Sequence, residues 1–351
     1  MKIKINASVP YDVVIERGLM KNIGKSTLEY IAPCNCLIVT DDNVDRLYGK
    51  ACEDSLKQAG FNVNKFVFKH GEASKNIDTF AEILNFMAEL KMTRKDVVFA
   101  LGGGVTGDLA GFSAASYLRG IKFVQIPTTL LSAVDSSVGG KTGINLKSGK
   151  NLAGAFHQPS VVLCDCDTFK TLPDEVFSDG VAEAIKSAII KDSALFDLFA
   201  DGTYKENIDY ITETCVKIKG QIVENDEFES GMRKLLNLGH TIGHAVEKCS
   251  GYKISHGHAV SIGMAIVSKA CEKSGLTEKG TSDKLTETLK NCRLPISCDY
   301  KPEELTKVIL NDKKRVKDHV TFVIPEKIGA CTLHDIHIDE ICNFISLGMG
   351  D

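Results

Sequence analysis

The chain has 351 residues, 43% hydrophobic and 25% charged, a mixture that argues against a disordered, collagen-like or coiled-coil protein. Its 42 basic and 46 acidic residues leave a net charge of −4, so recognition of nucleic acid by bulk positive charge is disfavoured. At roughly 150 residues per domain the length suggests two domains, each large enough for its own core.

The N-terminal MKIKINASVPYDVVIE lacks the apolar run of a signal peptide, and its polar residues interrupt an amphipathic transit pattern. No apolar stretch reaches the roughly 18 residues of a transmembrane helix. Twelve cysteines are scattered through the chain. They read as reduced thiols of a cytoplasmic protein rather than as a disulfide framework. No membrane or nucleic-acid motif stands out.

Lys2–Ile5 and Tyr11–Ile15 look like a hairpin at a sheet edge. Short runs rich in Val, Ile and Phe follow at Asn35–Thr40, Val63–Phe68, Asp96–Leu101, Ile121–Ile126 and Val161–Cys164. Helical patterns lie between them at Val44–Ala59, Ile77–Lys91 and Val105–Leu118. This alternation predicts an α/β N-terminal domain with a Rossmann-like parallel sheet, residues 1–172. The pairs Cys34/Cys36 and Cys164/Cys166 share strand faces, which favours core packing over metal binding.

Near Pro173 the pattern changes. Val181–Lys191, Ile208–Val223, Gly231–Lys248, His258–Ser274 and Thr277–Asn291 carry apolar residues at helical spacing. Strands nearly vanish until Val320–Ile324. Residues 173–351 are therefore expected to form a mainly α-helical C-terminal domain.

Gly102, Gly104 and Gly107 follow a strand, precede a helical pattern and satisfy G-x-G-x-x-G. Such glycines let the backbone approach a pyrophosphate at a helix N-terminus. They equally suit a tight turn. The next strand lacks the usual terminal acid, whereas Asp41-Asp42-Asn43 ends an earlier one. Gly140-Lys141-Thr142 is not a P-loop, because Asp135 stands where the motif needs glycine. The segment Asp135–Asn151, with four glycines and three lysines, reads as a loop, either phosphate-binding or simply solvated.

His240 and His244 stand at i, i+4, and His256 and His258 follow. Four of the nine histidines thus fall within nineteen positions, and imidazole is a preferred zinc ligand. Structural or surface roles remain open for them. Glu183, among apolar neighbours, offers a further ligand, although Lys186 at i+3 supplies an ordinary ion-pair partner. Arg233, Asn237 and His240 have the spacing of one helix face, and a guanidinium suits carboxylate or phosphate. A solvated charged face is the alternative.

These motifs together resemble the 3-dehydroquinate synthase family, within the sugar-phosphate cyclases. The resemblance rests on Gly103–Asp108 (GGVTGD), Ile126–Leu131 (IPTTLL), Asp135–Thr142 (DSSVGGKT), Glu183–Lys186 (EAIK), Leu235–His244 (LLNLGHTIGH) and Asp312-Lys313-Lys314. It implies NAD and zinc or cobalt as cofactors, with Glu183, His240 and His256 as metal ligands and His244 as a nearby catalytic group.

NAD-site positions implied by the resemblance are Asp41, Asn43, Glu72, Lys75, Gly103, Gly104, Val105, Thr106, Gly107 and Asp108. Thr128, Thr129, Lys141, Lys150 and the turn Thr168, Phe169, Lys170 and Thr171 complete that set. Substrate contacts are implied for Asp135, Lys141, Asn151, Lys186, Lys219, Arg233, Asn237 and one of Lys313 or Lys314. Arg119 matches a residue that reaches the neighbouring subunit of a homodimer. Where the family often has His-Gly-Glu, this chain has His256-Gly257-His258, which leaves His258 as a supporting group or a competing ligand.

The implied substrate is 3-deoxy-D-arabino-heptulosonate 7-phosphate. The implied reaction is transient NAD-dependent oxidation, phosphate elimination, re-reduction and intramolecular aldol closure to 3-dehydroquinate. Two alternatives remain: a cyclase acting on another sugar phosphate, and a metal-dependent polyol dehydrogenase. A catalytically silent dinucleotide-binding protein is the alternative outside enzymes.

Overall fold

The computed structural model describes the backbone of residues 1–313 and 318–350, and the side chains of all of these but 312 and 313. Contacts group the chain into two compact units. One joins Met1–Leu172 to Lys219–Phe228, and the other joins Pro173–Ile218 to Glu229–Asp351. The second unit begins at Pro173 but is not continuous, because Lys219–Phe228 belongs to the first unit, a return that carries no local signal in the sequence.

The first unit holds β1 (Lys2–Ile5), β2 (Tyr11–Ile15), β3 (Asn35–Asp41), β4 (Asn62–Phe68), β5 (Val97–Gly102) and β6 (Lys122–Pro127). It continues with β7 (Lys141–Leu146), β8 (Gly149–Phe156) and β9 (Val161–Cys164). Seven strands form one sheet in the order β1-β2-β9-β6-β5-β3-β4. Only the β1–β2 pair is antiparallel.

Both faces of this sheet are covered, and strand residues alternate between two cores. Cys36, Ile38, Val97, Phe99 and Leu101 pack with Leu19, Ile23 and Leu56 on one face. Leu37, Val39, Val98 and Ala100 pack with Ile83, Met87 and Leu109 on the other. Double burial explains why these strands read as continuous apolar runs.

Between β6 and β9 the sequence suggested a loop. The structure instead has a hairpin, β7 paired antiparallel with β8, with Gly143 opposite Gly154. A Cβ on Gly154 would lie 2.1 Å from the Thr142 carbonyl oxygen, so glycine is required by close strand packing. Gly111 serves the same end: a Cβ there would meet Thr142 Cγ2 at 2.4 Å, where helix Gly104–Ser116 touches the hairpin. Glycines that look like loop residues thus mark close backbone approach.

The second unit is mainly helical, with a β-hairpin of β10 (His319–Lys327) and β11 (Ala330–His337). The sequence reading reached only part of β10 and missed β11, whose apolar alternation is broken by His334, Asp335 and His337. Helices Ser193–Ala200, Pro302–Lys313 and Ile341–Met349 were also not anticipated. Helix His256–Lys273 runs through the core, where Ile262, Ile266 and Val267 meet Ile242, Val246, Phe322 and Phe344. No helix among the described residues is long and apolar enough to cross a membrane.

The single helix expected over Gly231–Lys248 is broken in two. Met232–Asn237 is a 3₁₀ helix, and a new α-helix runs from His240 to Cys249. Gly239 caps the second helix with φ of +75°, a conformation that favours glycine. Arg233 and Asn237 therefore do not continue the helix of His240. Helix His240–Cys249 lies backbone to backbone on helix His256–Lys273. A Cβ on Gly263 would fall 2.0 Å from the Gly239 carbonyl oxygen, and one on Gly243 would fall 3.0 Å from that of Ala259. Gly263→Ala must push the two helices apart. It should lower stability by about 3 kcal/mol, at the upper end of ordinary overpacking costs, read as a lower Tm in thermal unfolding.

Candidate active site

Glu183 sits in the middle of helix Asp174–Lys191 and is wholly buried. A buried carboxylate needs compensation. Lys186, one turn on and also buried, places its Nζ 2.5 Å from Oε2. Oε1 accepts no hydrogen bond. His240 Nε2 lies 3.6 Å from Oε1 and His256 Nε2 lies 3.4 Å from it. The ion pair that the sequence offered as the ordinary reading is therefore present, and the histidines converge on the other oxygen.

The far nitrogen of each ring decides what Nε2 offers. His240 Nδ1 donates to the Leu238 carbonyl at 3.1 Å, which leaves the Nε2 lone pair toward Glu183. His256 Nδ1 lies 3.3 Å from Glu247 Oε2. With Nδ1–H donating there, its Nε2 also presents a lone pair. With both rings neutral, two imidazole lone pairs and a carboxylate oxygen would face one another, a repulsion that a cation among them, or a proton on His256, relieves. Their donor atoms all lie within 4.8 Å of each other. One carboxylate and two imidazoles suit Zn²⁺ or Co²⁺ with coordination positions left for substrate.

Electrostatics agrees with this geometry. Burial pushes the His240 imidazole down to about 3, so it stays neutral and ready to ligate. Burial also opposes charge on His256, but Glu183 and Glu247 outweigh it and raise the ring to about 10. Burial works against the Glu183 anion as well. Lys186, His240 and His256 overcome it and hold the carboxyl well below the usual range. Without a cation, a proton on His256 answers the same local charge.

Three elements aim this group. His240 and His256 are each the first residue of a helix. Asp179, one turn before Glu183, accepts from Ser255 Oγ at 2.6 Å and from the His258 backbone N–H at 3.1 Å. It caps the helix of His256 from outside, in place of a cap by the Ser255 side chain. Gly257 permits the contact, since a Cβ there would lie 2.4 Å from Asp179 Cα. His244, one turn beyond His240, is exposed, with its ring 5.9 Å from that of His256.

His258 turns away from the ligand group. Its Nε2 lies 2.8 Å from Ser178 Oγ, in a groove also lined by Tyr204, Lys205 and Arg293. The ligand groups among the described residues do not include it.

The same unit buries the cations Lys186 and Arg233, each 1% exposed. Asn237, at the end of the 3₁₀ helix of Arg233, donates to Glu229 Oε1 at 2.8 Å. Lys313 is the last described residue of helix Pro302–Lys313. The Lys313 side chain and all of Lys314 lie outside the described residues.

In the first unit, the glycine run lies at the carboxyl end of β5, where Gly103 caps helix Gly104–Ser116. β3 and β6 flank β5, and the chain leaves β3 and β5 toward opposite edges of the sheet. The crevice at such a reversal is where open α/β sheets take nucleotides. Asp41 ends β3 there and caps the next turn by accepting from the N–H groups of Asn43 and Val44. Its other oxygen is 3.5 Å from Thr106 Oγ1. Thr128 Oγ1, at the end of β6, is buried without a hydrogen-bond partner. Gly107 lets the helix close on β6, since a Cβ would meet Gln125 Oε1 at 2.7 Å.

A polar network borders this loop. Lys75 Nζ contacts Asp108 and also donates to Asn151 Oδ1 at 2.6 Å. Burial raises the Asp108 carboxyl, against the lowering influence of Lys75. Glu72 accepts from Asn145 at 2.7 Å, which ties the hairpin to the Glu72–Ser74 turn. Asn151 holds φ of +54°, Lys141 begins β7, and Lys150 lies on β8.

Lys219 Nζ donates to Asp135, to its carbonyl at 2.6 Å and its Oδ1 at 2.7 Å. This pair is 84 residues apart in sequence. Thr129 Oγ1 lies 2.9 Å from Ser132 Oγ within the turn after β6. Thr168, Phe169, Lys170 and Thr171 form a 3₁₀ turn whose Thr171 Oγ1 meets Tyr48 Oη at 2.6 Å. Arg119 is exposed beyond helix Gly104–Ser116, with φ of +65°.

Sequence reasoning missed Glu247 and Asp179. Glu247 is seven residues after His240 and three after His244 on one helix, a spacing that was available. Asp179 and Glu183 are one turn apart, but their tie to His256 exists only in the fold.

Family models described as 3-dehydroquinate synthase N-terminal and C-terminal match residues 65–179 and 180–315. The chain belongs to the 3-dehydroquinate synthase family. Curated family members from Lactococcus lactis subsp. cremoris (strain MG1363) and Clostridium acetobutylicum are similar over nearly their full length. The first is 43% identical, covering 98% of this chain and 99% of the relative. The second is 41% identical, covering 95% and 96%. Among solved structures, a 2-epi-5-epi-valiolone synthase from Streptomyces hygroscopicus subsp. jinggangensis 5008, with NAD+ and Zn2+ bound, superposes with a TM-score of 0.89. It is 27% identical and covers 98% of both chains.

Proposed function

We propose that this chain converts 3-deoxy-D-arabino-heptulosonate 7-phosphate into 3-dehydroquinate and phosphate, with NAD and Zn²⁺ or Co²⁺ as its cofactors. The observation that carries the reading is the convergence of His240 and His256 lone pairs on the undonated oxygen of buried Glu183, in a chain of this family. When bound, the metal ion polarises a substrate hydroxyl and NAD takes and returns one hydride.

In this reading residues 1–172 hold NAD. The glycine loop Gly103, Gly104 and Val105 offers backbone N–H groups to the pyrophosphate, and Asp41 and Asn43 face the ribose end of the same crevice. Thr128 Oγ1 gains a partner there. Lys75 keeps Asp108 and Asn151 in place beside the loop. Residues 173–351 hold the metal ion and most of the substrate.

The cationic residues fix the substrate's anionic ends. Arg233 presents a planar fork suited to carboxylate, and Lys186 and Lys219 supply point charges for phosphate and hydroxyl oxygens. Asp135 restrains Lys219 through two contacts. His244 stands one turn from ligand His240, close enough to hold or pass a proton at a substrate oxygen. Holding the carboxylate in fixed geometry after the phosphate has left also favours ring closure within one bound intermediate. The enzyme acts in the cytoplasm as a homodimer, with Arg119 completing the neighbour's site.

One assay tests the reading. Metal-loaded protein with NAD⁺ and the heptulosonate phosphate should release phosphate and 3-dehydroquinate in equal amounts without accumulating NADH. Sustained NADH production would identify a dehydrogenase. No reaction with the metal and NAD bound would redirect the assignment to another sugar-phosphate cyclase.

A further inference from the structure

We infer that Glu247 is a positioning residue for the metal: its carboxylate fixes the His256 ring and tautomer, and so sets how tightly the metal ion is held. The inference rests on the reading that Glu183, His240 and His256 are the ligands.

The two imidazoles are oriented in different ways. His240 Nδ1 is held by a backbone carbonyl, Leu238 O, which no side-chain substitution removes. His256 Nδ1 has a side-chain carboxylate at 3.3 Å. His256 is also the more exposed ring, at 34% of its side chain against 11% for His240. Packing therefore restrains it less, and a directed hydrogen bond has more to do. Glu247 itself is 3% exposed. A carboxylate buried to that degree is unfavourable unless a donor meets it.

Backbone geometry puts Glu247 within reach. It lies two turns along the helix that begins with His240, and that helix packs directly on the one that begins with His256. One helix thus provides a ligand at its first residue and the orienting group for the other histidine at its eighth. A carboxylate on the far nitrogen of a metal-bound histidine fixes the tautomer and raises the basicity of the ligating nitrogen. Removal of such a partner typically costs about 10- to 100-fold in metal affinity.

The test measures Zn²⁺ affinity by chelator competition in the full chain, and the visible spectrum of the Co²⁺-loaded protein. Glu247→Gln keeps the shape but loses the charge and should weaken Zn²⁺ about 10-fold. Glu247→Ala should weaken it about 100-fold. The Co²⁺ bands should shift in both, and saturating metal should recover most of the turnover. His240→Ala serves as the reference for loss of a ligand. Wild-type Zn²⁺ affinity and an unshifted Co²⁺ spectrum in folded Glu247→Gln would overturn the inference while leaving the ligand set intact. Wild-type affinity in His240→Ala would instead overturn the ligand reading. A merely structural Glu247 would lower Tm without moving either metal readout, so the isosteric Gln variant decides even where the Ala variant does not fold.

Discussion

His240→Ala is expected to lose the metal ion and the phosphate-releasing activity together, while the protein stays folded. The size of the loss follows from ligand number. A residue that merely orients a ligand is worth about 10- to 100-fold in metal affinity, so a direct ligand among three is worth more than about 100-fold. The fold should tolerate the change. His240 begins its helix, where alanine is well accommodated, and the backbone contacts of Gly239, Gly243 and Gly263 hold that helix in place. Metal content after dialysis, turnover and a circular-dichroism melt are the measurements. Full metal content with full turnover would reject His240 as a ligand. Loss of activity with metal retained would place His240 on the substrate side of the site.

Arg233→Ala should reduce kcat/KM for the heptulosonate phosphate by about 100- to 1,000-fold and leave NAD affinity within about two-fold. Truncating one partner of a buried, hydrogen-bonded charge pair costs about 2–5 kcal/mol, and each 1.4 kcal/mol is a factor of ten. Arg233 is the largest of the fully buried side chains, and its guanidinium lies in the unit that also holds Glu183, His240 and His256. In the proposed reading Arg233 contacts the substrate and not the dinucleotide, and the glycine loop belongs to the other compact unit. Arg233→Lys keeps charge without the planar fork and should recover only part of the loss. Steady-state kinetics with separate NAD titration checks both statements. An equal loss of NAD affinity would contradict a substrate role. Some fall in Tm is expected as well, because burial of this charge is matched by groups that then lose their partner.

Several parts of the site were legible because the chemistry is local in sequence. The strand, glycines and helix around Gly102–Gly107 are contiguous, and each imposes its own residue preference. His240 and His244 share a helix, and Glu183 stood out as an acid in an apolar run. Other parts were hidden. Lys219 meets Asp135 across 84 residues, and no periodicity within a helix encodes that. Glycine commonly signals turns, so the sequence of the β7–β8 hairpin reads as a loop. There, Gly143 and Gly154 instead answer a cross-strand contact too close for any side chain.

Gly239 shows the same limit from the opposite direction. Helical spacing ran unbroken through Gly231–Lys248, yet the backbone turns left-handed at Gly239 and restarts at His240. The break follows from helix packing: the Gly239 carbonyl must sit against Gly263, and only glycine takes that conformation without strain.

The sequence by itself determined the α/β alternation, the change to helices after Pro173, the glycine loop and the candidate ligands. Each depends on residue type and short-range spacing, which backbone geometry converts directly into faces and ends of elements. Only the tertiary structure decided which nitrogen of each histidine is available, that Glu183 answers both Lys186 and the imidazoles, and that Glu247 and Asp179 stand behind His256. Lone-pair direction and burial depend on neighbours brought together by packing, and those neighbours lie 9 residues from His256 in one case and 76 from Ser255 in the other.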